Sequence, residues 1–110
     1  MNTSISVART SHSLIISVKG KFCFEAHHQF RKAYHGDEAH ANHRITHFTV
    51  DLSETHYLDS SALGMLLLLR EEALAREATI LLSNPRTEIR NILETANFHQ
   101  MFEIESCRGE

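Results

Sequence analysis

At 110 residues the chain has room for one domain around one core, and residues 1–110 are expected to form that single unit. Apolar residues make up 42% and charged residues 23%, which suits a globular fold and excludes a disordered chain. The net charge is −3, and Lys and Arg are scattered singly, so the basic face that nucleic-acid phosphates require is missing. Cys23 and Cys107 stand alone, with no CxxC pair, as in a reduced, cytosolic protein. The N-terminus has no basic-then-apolar leader pattern, and the longest apolar run, Ala62 to Leu69, is far short of the ~20 residues of a membrane span. A cytoplasmic protein without a membrane segment is expected.

In chain order, Ile5 to Arg9 alternates apolar and small or polar residues, and Leu14 to Val18 is rich in β-branched residues. The polar Thr10 to Ser13 between them predicts a hairpin. Ala26, Phe30, Ala33 and Tyr34 then recur on one face of a helix, with Gly36 as its stop. Asp37 to His43 reads as a loop, and Thr46 to Leu52 as a central strand. Ser60 is placed to cap a helix running through Ala62 to about Arg76. Thr79 to Leu82 is a short buried strand, and Asn84-Pro85 opens a last helix that aligns Ile89, Ile92, Leu93 and Ala96. The tail from Phe98 to Ile104 holds one more short apolar segment. The order β-β-α-β-α-β-α predicts an α/β fold with a mixed sheet of four or five strands and helices mainly on one face.

The stretch from Val50 to Leu68 concentrates the chemistry: a buried strand, a short loop, then a helix opening at Asp59-Ser60-Ser61. Ligands and partners gather at the carboxyl ends of parallel strands. A helix N-terminus there offers free N–H groups and partial positive charge, a seat for phosphate. Phosphorylation of Ser60 would add nearly two negative charges beside Asp59. On spacing alone Ser60 reads as a plain helix cap, and spacing does not make it a phosphosite. The helix that follows is apolar on all sides, so Met65, Leu68 or Leu69 either sinks beneath another element or forms a docking patch.

The pattern Asp51-Leu-Ser53, then Tyr57-Leu-Asp-Ser-Ser-Ala-Leu-Gly64 and an apolar helix, resembles the signature of STAS-domain anti-sigma-factor antagonists. Gly20 after the second strand, the Thr79 to Leu82 strand, Asn84-Pro85, and Ala96-Asn-Phe98 with Phe102 extend the likeness over most of the chain. Ala62 stands where such proteins often have Gly, and Lys21 to Phe24 lacks the acidic residue often found in that loop. The resemblance implies a STAS fold with Ser60 as the phosphorylated residue. It also implies a partner surface formed by Asp59, Ser60, Ser61, Ala62, Leu63 and Met65. The implied partners are an anti-sigma factor that is also a Ser kinase of the GHKL fold, and a PP2C-type Ser phosphatase. No catalytic residue and no cofactor are expected.

Other classes are weaker. Six of the nine histidines lie between His27 and His47, and His40, His43 and His47 would converge on a metal only if that segment were helical; no metal site is expected. A hydrolase built on Ser60 and His56 lacks a GxSxG elbow, and no phosphate loop is present. A nearer alternative keeps the same fold as the small subunit of a lipid-transport ATPase, or as a regulator whose final target is not a sigma factor.

Overall fold

A computed structural model of the chain describes residues 3–35 and 45–106. The expected stop at Gly36, the loop from Asp37 to His43, and Cys107 lie outside the described residues. Strands β1 (Thr3–Arg9) and β2 (Ser13–Phe22) form the expected hairpin, in antiparallel register from Thr3 opposite Gly20 to Arg9 opposite Leu14. Helix α1 (His27–His35) follows a single 3-10 turn at Phe24–Ala26. The central strand β3 (His47–Asp51) leads to β4 (Thr55–Leu58), α2 (Ser60–Ala75), β5 (Thr79–Ser83), α3 (Thr87–Thr95) and β6 (Glu103–Glu105).

The sheet has six strands rather than four or five. Its order is β1-β2-β3-β5-β6, and every pairing except β1–β2 is parallel. The strand missing from the sequence reading on one side is β4, which continues the edge of β2 beyond the point where β3 leaves it. Ser13 to Ser17 pair with β3, and Gly20 to Phe22 pair with β4. The other is β6, three residues long, beside β5. It realises the apolar segment of the tail through Ile104, which lies opposite Leu82.

Register places Leu14, Phe48 and Ile80 in one cross-strand row and Ile16, Val50 and Leu82 in the next, all on one face. That face carries the core. Phe30 and Tyr34 of α1, Leu66 and Leu69 of α2, and Ile89 and Leu93 of α3 bury their side chains in the same cluster. Each fully buried Leu or Ile contributes about 1.5–3 kcal/mol, so the helices are held chiefly by these contacts. The opposite face, with Ile15, Thr49 and Leu81 in one row, is only half-buried. Helices therefore cover mainly one face, as expected.

Helix α3 begins two residues later than the Asn84-Pro85 expectation. Asn84 sits in the left-handed region (φ 59°) and donates its N–H to the Glu105 carbonyl (2.7 Å), which ties it to β6 rather than to a helix. Pro85 is buried, and Arg86 is the extended N-cap residue.

Candidate functional site

The site is built from β2 upward. Gly20 takes φ 90°, a conformation costly for any residue with a Cβ, and between Gly20 and Lys21 the β2–β4 register shifts by one residue, with His56 of β4 as the extra one. Just before this irregularity, between Ser17 and Gly20, the edge of β2 changes partner from β3 to β4. The Gly20 N–H donates to the Glu54 carbonyl (2.9 Å), and the Thr55 hydroxyl donates to the Val18 carbonyl (2.7 Å). Thr55 is fully buried and closes the gap between the end of β3 and the start of β4. Before it, the Asp51 carboxylate accepts the Ser53 N–H (3.0 Å), turning the chain out of β3.

Four residues beyond Thr55 the chain enters α2. Asp59 is extended (φ −109°, ψ −176°), and its N–H donates to the Phe22 carbonyl (3.3 Å). Its carboxylate accepts the Ala62 N–H (2.9 Å), and its carbonyl accepts the Leu63 N–H (3.2 Å). Asp59, not Ser60, is thus the helix cap. The reason is tertiary: pairing with Phe22 holds Asp59 extended, as the cap position requires, and Ser60 becomes the first helical residue. The Ser60 hydroxyl is left exposed, and the Ser60 and Ser61 amides have no acceptor within the helix.

Asp59, Ser60, Ser61 and Leu63 remain at or near the surface, and Ser61 and Leu63 are half-buried. Ala62 (0% exposed) and Met65 (5%) point the other way and belong to the core. Leu69 is also buried, whereas Leu68 is 50% exposed. Of the three residues open to either fate, only Leu68 belongs to the outer surface of α2. Gly64 lies on that surface too; a Cβ added there meets nothing within 4 Å. A glycine inside a helix costs roughly 0.5–1 kcal/mol relative to alanine.

Two exposed aromatics adjoin the site. Tyr57, paired with Lys21 across the β2–β4 ladder, lies under the Lys21 ammonium (5.7 Å to the ring centroid). Phe24, two residues past the Phe22 that binds Asp59, is 69% exposed and stacks on His27. Neither was given a site role from the sequence, although Tyr57 opens the motif that runs to Gly64.

A second concavity, about 340 Å³, lies between α1 and α2 and is lined by Arg31, Tyr34, His35, Leu68, Glu71 and Glu72. Glu72 accepts the Arg76 guanidinium (2.8 Å) and lies 3.7 Å from the His35 ring. Burial pushes the Tyr34 phenol above its ordinary value; Arg31 opposes that shift and Glu72 adds to it. His47 lies on β3 with its ring nitrogen 2.8 Å from the Thr79 hydroxyl. His40 and His43 are outside the described residues, and among the described residues no three potential metal ligands cluster. No helix among the described residues is long and apolar enough to cross a membrane.

A six-stranded mixed sheet with a capped helix opening at Asp59-Ser60 defines a domain of the STAS type. The chain belongs to this family: the family model described as Mlab, STAS domain, matches residues 5–104. A STAS-domain containing protein of Pseudomonas aeruginosa (strain UCBPP-PA14) is 47% identical over 91 residues, spanning 83% of this chain and 86% of that one. Among solved structures, the Bacillus anti-sigma factor antagonist SpoIIAA in its unphosphorylated form shares the fold with a TM-score of 0.77 at 19% identity, covering 92% of this chain and 87% of that one. Its phosphorylated form aligns with a TM-score of 0.69, covering 92% and 90%. A sulfate transporter family protein from Wolinella succinogenes aligns as well, with a TM-score of 0.74 at 16% identity, over 91% and 80%. One scaffold thus occurs in proteins of different kinds, and what sets this chain apart lies in its own surface residues.

Proposed function

We propose that this chain is an anti-sigma-factor antagonist in a cytoplasmic partner-switching pathway, a binding module rather than an enzyme. Unmodified, the surface around Asp59, Ser60, Ser61 and Leu63 binds an anti-sigma factor that is also a GHKL-fold Ser kinase. Phosphorylation of Ser60 ends the complex, and a PP2C-type phosphatase restores it. The observation that carries this reading is the exposed Ser60 hydroxyl on the first turn of α2, next to a cap already supplied by Asp59. A phosphate there meets free amides and the positive end of the helix, so the domain itself has little reason to rearrange. Within an interface the same dianion must be desolvated beside the Asp59 carboxylate, and a penalty of about 3 kcal/mol weakens binding more than a hundredfold.

The test is mass spectrometry of the protein from its native cells under two growth conditions, together with binding of Ser60→Ala and Ser60→Asp to the cognate kinase. Ser60 occupancy that changes with condition, with Ala retaining and Asp losing affinity, supports the switch. Equal affinity of the two variants sinks it. One second reading keeps the same fold: the same surface seats the ATPase of a lipid transporter, and Ser60 stays unmodified. Co-purification with a transporter ATPase instead of a kinase would decide for that alternative.

A further inference from the structure

The concavity between α1 and α2 is lined from both helices, and its polar groups are unequally engaged. Glu72 is already held by the Arg76 guanidinium and lies beside His35. Arg31 and Glu71, which also line it, form no ion pair among the described residues. Tyr34 is 6% exposed, and its hydroxyl has no hydrogen-bond partner among the described residues. Among these residues no fully buried side-chain polar atom lacks a partner, so that hydroxyl is the part of Tyr34 open to the concavity. A hydroxyl so placed calls for an acceptor. Both helices return between parallel strands and run in the same direction. Arg31, one turn before His35, therefore stands level with Leu68, one turn before Glu72.

We propose that this concavity binds a free α-amino acid with an apolar side chain. The ligand carboxylate pairs with the Arg31 guanidinium and accepts the Tyr34 hydroxyl; these two side chains are three residues apart on α1 and share a face. The ligand ammonium faces the Glu71 carboxylate on α2, and its apolar side chain lies on the half-exposed Leu68. A simple anion would meet Arg31 but also the two glutamates, and a simple cation would meet Glu71 but also Arg31. A zwitterion leaves neither charge opposed. The volume, about 340 Å³, is at the small end of the roughly 300–1,000 Å³ of ligand pockets, which suits a molecule of this size. Leu68 stands eight residues past Ser60, about 12 Å along the helix, so the site is separate from the proposed switch and does not depend on it.

Titration of the isotope-labelled full chain with leucine, valine and phenylalanine, followed by amide chemical shifts, tests the proposal. The expected result is saturable binding at millimolar or lower concentration, with shifts centred on Arg31, Tyr34, Leu68 and Glu71. N-acetyl-leucine, which lacks the ammonium, and leucinamide, which lacks the carboxylate, should each bind about tenfold more weakly than leucine. Arg31→Gln and Glu71→Gln should each raise the Kd by about tenfold, equivalent to roughly 1.4 kcal/mol. Both side chains are exposed, so unchanged melting temperatures separate a lost ligand contact from a damaged fold. No saturable shift with any of the three amino acids overturns the proposal. So does equal binding of leucine and either blocked form, or binding that both substitutions leave unchanged. None of these results touches the Ser60 reading, which is judged by the modification state of Ser60 and by kinase binding.

Discussion

Replacing Thr55 by Val keeps the shape of the side chain and removes one hydroxyl, at the point where the two halves of the β2 edge meet. Thr55 is 0% exposed, and its hydroxyl donates to the Val18 carbonyl at 2.7 Å. Val18 is itself fully buried, in the interval between its neighbour Ser17, paired with β3, and Gly20, paired with β4. The substitution leaves that carbonyl without the hydroxyl partner, and a buried polar group left unsatisfied costs about 1–3 kcal/mol. A gain of roughly 0.8 kcal/mol from the added methyl offsets part of it. A net loss of about 0.2–2.2 kcal/mol follows, which in a domain of this size lowers the melting temperature by roughly 1–18 °C. Thr55→Ser, which keeps the hydroxyl and loses only the methyl, serves as control and should cost about 1 kcal/mol. Urea unfolding of the three proteins at neutral pH supplies the numbers. If Thr55→Val proves as stable as the unsubstituted chain, the hydroxyl does not hold β4 to β2 and the reasoning fails.

The assignment of the helix cap gives a sharper contrast between neighbours. Asp59→Ala should destabilise the fold by about 1 kcal/mol and Asp59→Asn by much less, whereas Ser60→Ala should stay within about 0.5 kcal/mol in the same denaturation assay. Tyr34 gives a pH-dependent outcome. Its phenol is raised above 10.0, mainly by burial, so the folded state holds the proton after the unfolded chain has begun to release it. Stability is therefore unaffected below pH 10.0 and falls as pH climbs from there through the folded value. Ultraviolet titration in a Tyr57→Phe background should show this late ionisation, and Tyr34→Phe should flatten the alkaline loss of stability.

Elements with a strong period were legible from the residues. The alternation in β1, the β-branched run of β2 and the i, i+4, i+7 spacing in α1 each appear where expected. β4 and β6 were not, because Thr55 to Leu58 and Glu103 to Glu105 are too short to carry a period; pairing with β2 and β5 makes them strands. The cap, expected at Ser60, lies one residue earlier at Asp59. Asp and Ser are both favoured at that position, and only the bond from the Asp59 N–H to Phe22 decides between them. The exposed Ser60 was readable from its place before an apolar helix. The inward turn of Ala62 and Met65 was not, since α2 is apolar all round and its sequence names no inner side. The position of the helix over the sheet supplies that direction.

The Asp59 N–H bond to Phe22 has a consequence for the timing of any change at Ser60. The first turn of α2 is tethered through one backbone bond to a strand that is itself paired on both edges. A group attached to the exposed hydroxyl would therefore sit on a held turn, and under the proposed switch the domain would act as a stiff token whose face is rewritten without being reshaped. Under that switch, the pace of the signal would belong to whatever writes and erases the mark.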